Sequence, residues 1–396
     1  MSDVITHELS RRADLLAHLD EHGDLRGVVV QELDLRADGE RLRSIAVDGA
    51  AFLGCELDPD TVVALYRGGA ELFPPLEGGP DSGEPGGLPF RPYRSGLYTV
   101  DELYEGFDPA VPGSFWARAR DSRIYAYYET LRRSEEPPPI LDSLALRLHD
   151  HAVENALATL LYHGPDGPRR VVAIMGGHAM RRDQAIYREV LTMARDLTRA
   201  GYFVATGGGP GAMEAGNLGA YLAGQPDAAV DEALAILAAD TDYASHDYLV
   251  HALAVRERWP RNEREGVGES LAVPTWFYGH EPSNLFATHV AKYFANSVRE
   301  DGLLAIATHG VVYAPGSAGT VQEVFMDACQ NHYGTFPLIS PMVMLGHAYW
   351  TEKLPVYPLL QALSRGKPYA DLIGIADTGS EALRFLVEHP PIPSPR

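Results

Sequence analysis

From residue 169 onward, the sequence repeats one unit, in which a short apolar run leads into a loop and then into a helical pattern. The apolar runs are RVVAIM, YFVAT, LAVPTWFYG, GVVYAP and SPMVMLG, the last of which we predict as the final core strand. Strands that alternate with helices are joined by crossover connections, so the strands run parallel and helices cover both faces of their sheet. The alternation therefore predicts a doubly wound α/β domain with a parallel sheet.

The stretches that follow these runs carry apolar residues at helical spacing. In DQAIYREVLTMARDLTRAG the predicted buried face consists of Ile186, Val190, Met193 and Leu197. Helices are also predicted over GAMEAGNLGAYLAG, SNLFATHVAKYFANSVRED, TVQEVFMDACQ, KLPVYPLLQALSRG and SEALRFLVEH. The segment at residues 224–269 interrupts the alternation, and we interpret it as a helical insertion.

The first part of the chain has a different pattern. Three short apolar stretches, RGVVVQELDLR, LRSIAVDGAAFLGCEL and VVALYRGGAELFPPL, each end in a turn that contains leucine. They fit either a stack of β-coils or a small β-rich cap. A long helix is predicted over DSLALRLHDHAVENALATLLYHG, capped by Asp142 or Ser143 and stopped by Gly164. We therefore expect a smaller β-rich or mixed domain at residues 1–140 and the α/β domain at residues 141–396.

Charge and cysteine content narrow the classes of partner. The chain carries 54 acidic and 33 basic residues, a net charge of −21, which disfavours binding to nucleic acid or to an anionic membrane. Its two cysteines, Cys55 and Cys329, lack metal-ligand spacing, so neither a structural zinc nor a disulfide framework is expected. No apolar run reaches the roughly 18 residues of a membrane span, and the N-terminal residues do not resemble a signal peptide. We expect a soluble, cytoplasmic protein.

Two glycine-rich loops follow predicted strands. TGGGPGAMEAG, at residues 206–216, comes after YFVA, and APGSAGTVQE, at residues 314–323, comes after GVVY. Ligands of open α/β sheets bind where strand ends meet helix N-termini, which attract phosphate, and glycine lets the backbone approach them closely. Tight strand-to-helix turns are the alternative explanation. We predict that the two loops hold one ligand through Gly207, Gly208, Gly209, Gly211, Gly316, Ser317, Gly319 and the Thr320 hydroxyl.

The class of ligand follows from what the loops lack. A dinucleotide fingerprint needs an acidic residue at the end of the next strand, whereas the acidic candidates near Asp227 lie in the insertion. A Walker A loop needs Gly-Lys-Ser/Thr, and no lysine lies near either loop. A mononucleotide therefore fits the loops better than NAD or ATP.

GGGPGAMEAGNLGA and APGSAGTVQE together resemble the paired signatures of the LOG family, over about Val171 to His389. The first is similar to the bacterial form GGGPGxMEAAN, and the second to PGGxGTxxE, with Ser317 in place of its second glycine. The resemblance implies a Rossmann-like fold and hydrolysis of nucleoside 5′-monophosphates such as AMP to free base and ribose 5-phosphate. It also implies a homodimer that needs no cofactor and no metal.

The two predicted catalytic residues lie around the second loop. A carboxylate beside the sugar lowers the barrier to glycosidic cleavage, so Glu323 is predicted to grip the ribose, stabilise the oxocarbenium-like state and orient water. Arg299 corresponds to the arginine that the family has before this strand, and it is predicted to pair with phosphate or with Glu323. Glu300 stands where the family has lysine. A dipole-complementing glutamate and a solvated helix-end arginine are the alternative explanations.

Other predicted contacts come from three segments. Gly177 and His178 stand where the family has Gly-Ser-Ser, and together with Glu214 they are predicted to contact phosphate or base. An exposed turn histidine and a first-turn glutamate that complements its helix dipole are the alternatives. In WFYGHEPSN, Trp276 and Phe277 are predicted to pack in the core. The candidates for the base pocket in that segment are Tyr278, His280 and Asn284.

Other functional classes fit the sequence less well. A nucleotide-binding sensor or carrier without turnover is the main alternative, since Ser317 departs from the family pattern. The older lysine decarboxylase label would require pyridoxal phosphate on an available lysine. Lys292 is predicted in mid-helix, and Lys353 and Lys367 lie near the C-terminal end, away from both loops. A serine hydrolase elbow is missing, because Pro315 takes its glycine position.

Overall fold

The computed structural model of the protein describes residues 7–76, 87–164, 167–261, 267–279 and 281–395. Contacts divide the chain into two compact units, each built from two separate segments. The first unit comprises Met1–Leu97 and Thr130–Ala158, and the second comprises Tyr98–Glu129 and Thr159–Arg396. The predicted boundary after residue 140 lies inside the second segment of the first unit. Of the helices in these described ranges, none is both long and apolar enough to cross a membrane.

The first unit contains a parallel sheet whose four strands pair in chain order. The strands start at residues 7, 28, 51 and 71, and a helical connection joins each strand to the next. Val30, Phe52 and Leu65 are buried in the core of this stack. The topology agrees with the stacked-coil alternative. The elements are β1 His7–Leu9, α1 Arg12–His22, β2 Val28–Gln31, α2 Gly39–Leu42, β3 Ala51–Leu53, α3 Pro59–Arg67 and β4 Glu71–Phe73.

The second unit is built on a seven-stranded sheet in which every neighbouring pair is parallel. Its strands are β5 Val171–Met175, β6 Phe203–Thr206, β7 Ser270–Ala272, β8 His289–Val290, β9 Val311–Tyr313, β11 Met342–Leu345 and β12 Ile373–Ala376. They lie in the order β12-β11-β9-β5-β6-β7-β8, so the chain builds outward from β5 in one direction and then in the other. This is the predicted doubly wound arrangement, and its switch point lies between β5 and β9.

Helices and one small sheet complete the chain. β10 Leu338–Ile339 pairs antiparallel with β13 Ile392–Pro393. Within the segment at residues 224–269, which was predicted to be a helical insertion, the described helices are α10 and α11. The helices are α4 Val100–Leu103, α5 Ser114–Arg118, α6 Arg120–Arg133, α7 Ile140–Tyr162, α8 Ala185–Arg199, α9 Ala212–Tyr221, α10 Ala228–Leu237, α11 His246–Arg258, α12 Asn296–Ile306, α13 Ala318–Tyr333, α14 Val356–Ser364 and α15 Gly379–Glu388.

The predicted long helix over SNLFATHVAKYFANSVRED is wrong in its first half. Residues 283–295 form an irregular segment that includes β8, and only α12 is helical. The reason is burial on several sides, since the consecutive residues Leu285, Phe286 and Ala287 are all buried, although they would spread over more than half of the circumference of a helix. Val290 also exchanges two backbone hydrogen bonds with Tyr98, at 2.8 and 3.0 Å. Edge pairing in the sheet therefore overrides the helical spacing.

A second correction concerns the edge of the sheet. SPMVMLG forms β11, as predicted, but β12 pairs beyond it and is the last strand. The sequence of β12, IGIA, was missed because it is short and contains Gly374. The absence of a side chain at Gly374 is needed here, because a Cβ would lie 2.7 Å from the Phe385 ring of α15.

Lys292 was expected in mid-helix and instead lies in the irregular segment just after β8. Its ammonium group is buried and bonds the carboxylate of Asp121 at 2.8 and 2.9 Å, and it also contacts the Ser283 hydroxyl at 3.2 Å. The Trp276 indole also bonds Asp121, at 2.7 Å. Asp121 thus neutralises a cation that would be costly to bury alone.

Candidate functional site

Three loops meet at the carboxyl ends of the neighbouring strands β5, β6 and β9. The Gly177 N–H donates to the Pro315 carbonyl at 3.0 Å, and the Ala212 N–H donates to the Gly177 carbonyl at 3.2 Å. A Cβ on Gly177 would lie 3.4 Å from the Gly316 Cα, so these backbones are almost in van der Waals contact. Both predicted glycine loops therefore border one crevice, with the loop after β5 between them.

The first loop needs glycine at two positions for conformational reasons. Gly208 has φ +80° and Gly211 has φ +71°, in the left-handed region that other residues rarely adopt. A Cβ on Gly211 would also lie 2.6 Å from the His178 carbonyl oxygen. The tight-turn explanation is therefore correct for these two glycines, and it is compatible with a ligand on the outer face of the loop.

Buried polar side chains hold the first loop from behind. The Thr206 hydroxyl donates to Asn217 Oδ1 at 2.7 Å and accepts from the Gly208 N–H at 3.0 Å. Asn284 Nδ2 donates to the same Asn217 oxygen at 2.8 Å, and its N–H donates to the Gly208 carbonyl at 2.8 Å. Asn217 was not predicted as a functional residue. The signal was an asparagine among the apolar and small residues of α9, where a buried amide needs hydrogen-bond partners.

The second loop leads directly into α13, whose first residues carry little bulk. Gly316 lies against Thr320, since a Cβ on Gly316 would be 2.7 Å from the Thr320 Cβ. The Tyr349 hydroxyl donates to the Gly316 carbonyl at 2.5 Å and fixes the loop from the other side. Ser317 precedes the first helical residue, and its side chain caps no N–H of the helix. A Cβ on Gly319 would meet no atom within 4 Å, so this position faces open space.

Replacing glycine by alanine should affect stability differently at Gly211 in the first loop and at Gly319 in the second. We expect Gly211→Ala to lower the free energy of unfolding by about 1–3 kcal/mol or more, because it combines left-handed strain with a clash. Gly319→Ala is the matched control, and we expect its stability to change by less than about 1 kcal/mol. Urea unfolding of both variants measures the difference. Equal losses of stability in the two variants would contradict the loop geometry.

Arg299 and Glu323 come together beside the first loop. Arg299 Nη1 lies 3.7 Å from Glu323 Oε1, and the same nitrogen is 3.8 Å from where a Gly207 Cβ would be. The side chains are only 11% and 16% exposed, so water screens their attraction weakly. Arg299 Nε is buried without a hydrogen-bond partner among the described residues. The ion pair therefore leaves one buried N–H of Arg299 without a described acceptor.

Burial raises the pKa of Glu323 to about 7, because the ionised form loses hydration. Arg299 opposes this shift, and the nearby negative charge of Glu300 adds to it. Asp327, one turn further along α13, also has a pKa raised to about 7 by burial, although the Tyr313 hydroxyl donates to it at 2.7 Å. Two carboxylates on α13 thus have raised pKa values, of which Glu323 adjoins the glycine loops.

Glu300 closes a ring of polar contacts around Arg299. Arg299 Nη2 donates to Asn296 Oδ1 at 3.3 Å, and Asn296 Nδ2 donates to the Tyr278 hydroxyl at 2.9 Å. That hydroxyl donates to Glu300 Oε1 at 3.0 Å, which lies 3.6 Å from Arg299 Nη2. Gln322 Nε2 donates to the other Glu300 oxygen at 3.0 Å. Because residue 300 is glutamate instead of the lysine of the LOG pattern, this site contains a second carboxylate beside that of Glu323.

Glu214, a predicted phosphate contact, is engaged by protein groups. Its carboxylate pairs with Arg182 at 2.5 and 3.0 Å and accepts from the hydroxyls of Tyr187 at 3.0 Å and Tyr248 at 2.6 Å. Arg182 and Glu214 are each about 1% exposed. Because Tyr248 belongs to α11, this cluster ties the helical insertion to the helix that follows the first loop.

The remaining candidates have different environments. His178 is exposed, with its ring 6.0 Å from that of Tyr243. Trp276 is buried, as predicted, but Phe277 is 37% exposed, so its predicted core packing is wrong. Phe277 was misjudged because it follows a strand that ends earlier, at residue 272. His280 lies outside the described residues. Within the described part of the chain, no group of three or more His, Cys, Asp or Glu side chains could hold a metal ion.

Comparison with known proteins gives a limited result. No protein-family model matches the chain, and no curated protein matches it. Among solved structures, it is similar to the molybdenum cofactor binding protein from Rippkaea orientalis, with 12% identity, a TM-score of 0.34, and coverage of 56% of this chain and 96% of that one. It is also similar to the Moco carrier protein from Chlamydomonas reinhardtii, with 16% identity, a TM-score of 0.34, and coverage of 56% and 98%. The functional proposal therefore rests on the residues of this chain.

Proposed function

We propose that the crevice binds a nucleoside 5′-monophosphate and hydrolyses its N-glycosidic bond, giving free base and ribose 5-phosphate. The observation that supports this most is the buried carboxylate of Glu323, held 3.7 Å from Arg299 at the border of the two glycine loops. Such a carboxylate can stabilise positive charge on a sugar. The sequence resemblance to the LOG family supports the same activity, and with it a homodimer that needs no metal or cofactor.

The phosphate is assigned to the glycine loops. The N-termini of α9 and α13 follow these loops, and the positive ends of the two helix dipoles favour an anion. The backbone of Gly177 lies between the two loops. A Cβ on Gly319 would meet no atom within 4 Å, which leaves open space for a ligand there. The ring of contacts around Arg299 already holds two carboxylates, so we assign this arginine to holding Glu323 rather than to the phosphate. Glu214, with its four contacts to other side chains, is assigned to positioning α9.

The chemical step breaks the bond between C1′ of the ribose and the base nitrogen. As the bond lengthens, positive charge develops on the ribose, and the ionised Glu323 stabilises it. A water molecule adds its oxygen to C1′ and loses one proton, and the departing base nitrogen gains one proton. The reaction therefore balances as hydrolysis without a redox change.

This assignment predicts a pH dependence. Because Glu323 acts as the carboxylate and its pKa is about 7, we expect kcat/KM for base release to rise about tenfold per pH unit below pH 7 and to level off above it. Arg299→Gln removes the cation that lowers this pKa, so the midpoint should move to higher pH. Asp327→Asn is the control, since it removes the other carboxylate with a pKa of about 7. A midpoint that disappears in Asp327→Asn would assign the titration to Asp327 instead.

The test of the function is direct product detection. Pure protein is incubated with AMP, GMP, CMP, UMP and IMP, and free base and ribose 5-phosphate are quantified by chromatography. We expect equal amounts of the two products from at least one nucleotide. No release from any of them, with binding still seen by calorimetry, would favour the alternative of a nucleotide sensor or carrier.

The lysine decarboxylase alternative is not supported. Its chemistry needs a lysine amine that can form a Schiff base with pyridoxal phosphate. Lys292 is buried, and its amine is held by Asp121 at 2.8 Å. We therefore do not propose this activity.

A further inference from the structure

The surface beside Glu300 combines an exposed aromatic ring with a carboxylate. Tyr278 is 65% exposed, yet its hydroxyl is fixed by Glu300 and Asn296. Phe277 packs edge-to-face against it, with the ring centroids 5.2 Å apart. A ring that is tethered at one end and open on its face is suited to stacking against a flat heterocycle.

Arg299 lies between two carboxylates, those of Glu323 and Glu300. Its Nη1 lies 3.7 Å from Glu323, and its Nη2 lies 3.6 Å from Glu300. One guanidinium therefore separates the two acids, with Glu323 toward Gly207 and the glycine loops. A nucleotide whose ribose lies at Glu323 would place its base toward Glu300 and Tyr278.

The hydrogen bonds of Glu300 leave acceptor capacity for a ligand. Oε1 accepts from Tyr278 and Oε2 from Gln322, each at 3.0 Å. Each carboxylate oxygen can accept a second hydrogen bond. The Glu300 side chain is 13% exposed, so part of it remains accessible.

We propose that Tyr278 and Glu300 form the base-recognition surface of this site and that they select guanine over adenine. The inference rests on the proposed function. Guanine presents two adjacent donors, N1–H and the 2-amino group, which match the two oxygens of a carboxylate. Adenine presents its 6-amino donor beside N1, an acceptor whose lone pair faces the carboxylate unfavourably. Glu300 therefore discriminates through both an attractive and a repulsive contact.

The test compares GMP and AMP with wild-type protein and Glu300→Gln. The wild type should have the higher kcat/KM for GMP, by about tenfold or more, since one bidentate contact gives this order of discrimination. In Glu300→Gln the amide can accept from the 6-amino group of adenine and donate to N1. The GMP-to-AMP ratio should therefore fall by about tenfold or more, toward a preference for AMP. Glu388→Gln, an exposed glutamate of α15, is the matched control and should keep the wild-type ratio.

Each outcome separates this inference from the proposed activity. Hydrolysis with the same GMP-to-AMP ratio in wild type and Glu300→Gln would overturn base selection by Glu300 and keep the hydrolase. If no nucleotide is hydrolysed, the same ratio is measured as Kd by calorimetry. A reversed Kd ratio in Glu300→Gln then supports the recognition surface without catalysis, and an unchanged ratio or no binding overturns it.

Discussion

Glu323→Gln is expected to lower kcat for base release by about 10²–10³-fold, the usual effect of removing one preorganised electrostatic contact to a transition state. Glutamine keeps the size of the side chain but cannot carry the negative charge that stabilises the oxocarbenium-like ribose. KM should change much less, because the charge on the ribose develops only in the transition state. Steady-state kinetics of wild type, Glu323→Gln and the Glu388→Gln control measure the effect.

The same substitution should stabilise the fold above neutral pH. The pKa of Glu323 is about 7 in the folded protein, against an ordinary value of 4.5, so burying the ionised form destabilises the folded state increasingly from about pH 4.5 to 7. At pH 8 this cost amounts to at most about 3 kcal/mol. Glutamine has no charge to bury, so Glu323→Gln should unfold at higher urea concentration than wild type at pH 8 and not at pH 4. A loss of activity accompanied by a loss of stability at pH 8 would indicate a structural role instead.

The second large effect is expected at Arg182. Replacing it by methionine should lower the free energy of unfolding by about 3–5 kcal/mol, because Glu214 would remain buried without its cation. The pair is about 1% exposed, and Arg182 also donates to the Tyr248 carbonyl at 3.0 Å. Urea unfolding measures the loss.

An exposed ion pair of the same unit provides the control. Arg188 and Asp231 bond at 2.5 Å but are 49% and 69% exposed, so Arg188→Ala should cost less than about 1 kcal/mol. If Arg182→Met also cost less than 1 kcal/mol, the buried pair would not be holding the insertion against α9. The double variant Arg182→Met with Glu214→Leu should recover part of the stability, because no uncompensated charge remains.

The features that the sequence predicted best are those that short stretches of sequence determine, namely the buried strands and the glycine loops. Strands β5, β6, β9 and β11 are buried along their whole length, so each reads as a continuous apolar run. The first glycine loop was recognisable because the backbone geometry at Gly208 and Gly211 requires glycine. In the second loop, Gly316 leaves no room for a Cβ beside Thr320. The meeting of the two loops in one crevice follows from the adjacency of parallel strands at a switch point.

The errors arose where distant contacts override local pattern. Residues 283–295 have helical spacing, yet Val290 pairs with Tyr98, nearly two hundred residues earlier. Glu214 looked like a first-turn acid near a phosphate, and nothing local indicates that Arg182 and Tyr248 take up its carboxylate. The polar ring around Arg299 was also missed, because its members Tyr278 and Glu300 lie in different segments, 22 residues apart in the sequence.

The interleaving of the two units limits how the chain can be divided. The α/β unit includes Tyr98–Glu129, and from that segment Asp121 bonds the buried amine of Lys292. A fragment that begins at residue 159 would lack Asp121 and leave this cation without its carboxylate. No single cut therefore releases an intact second unit, and gene fusion or shuffling can transfer this unit only together with the residues that lie between its two segments.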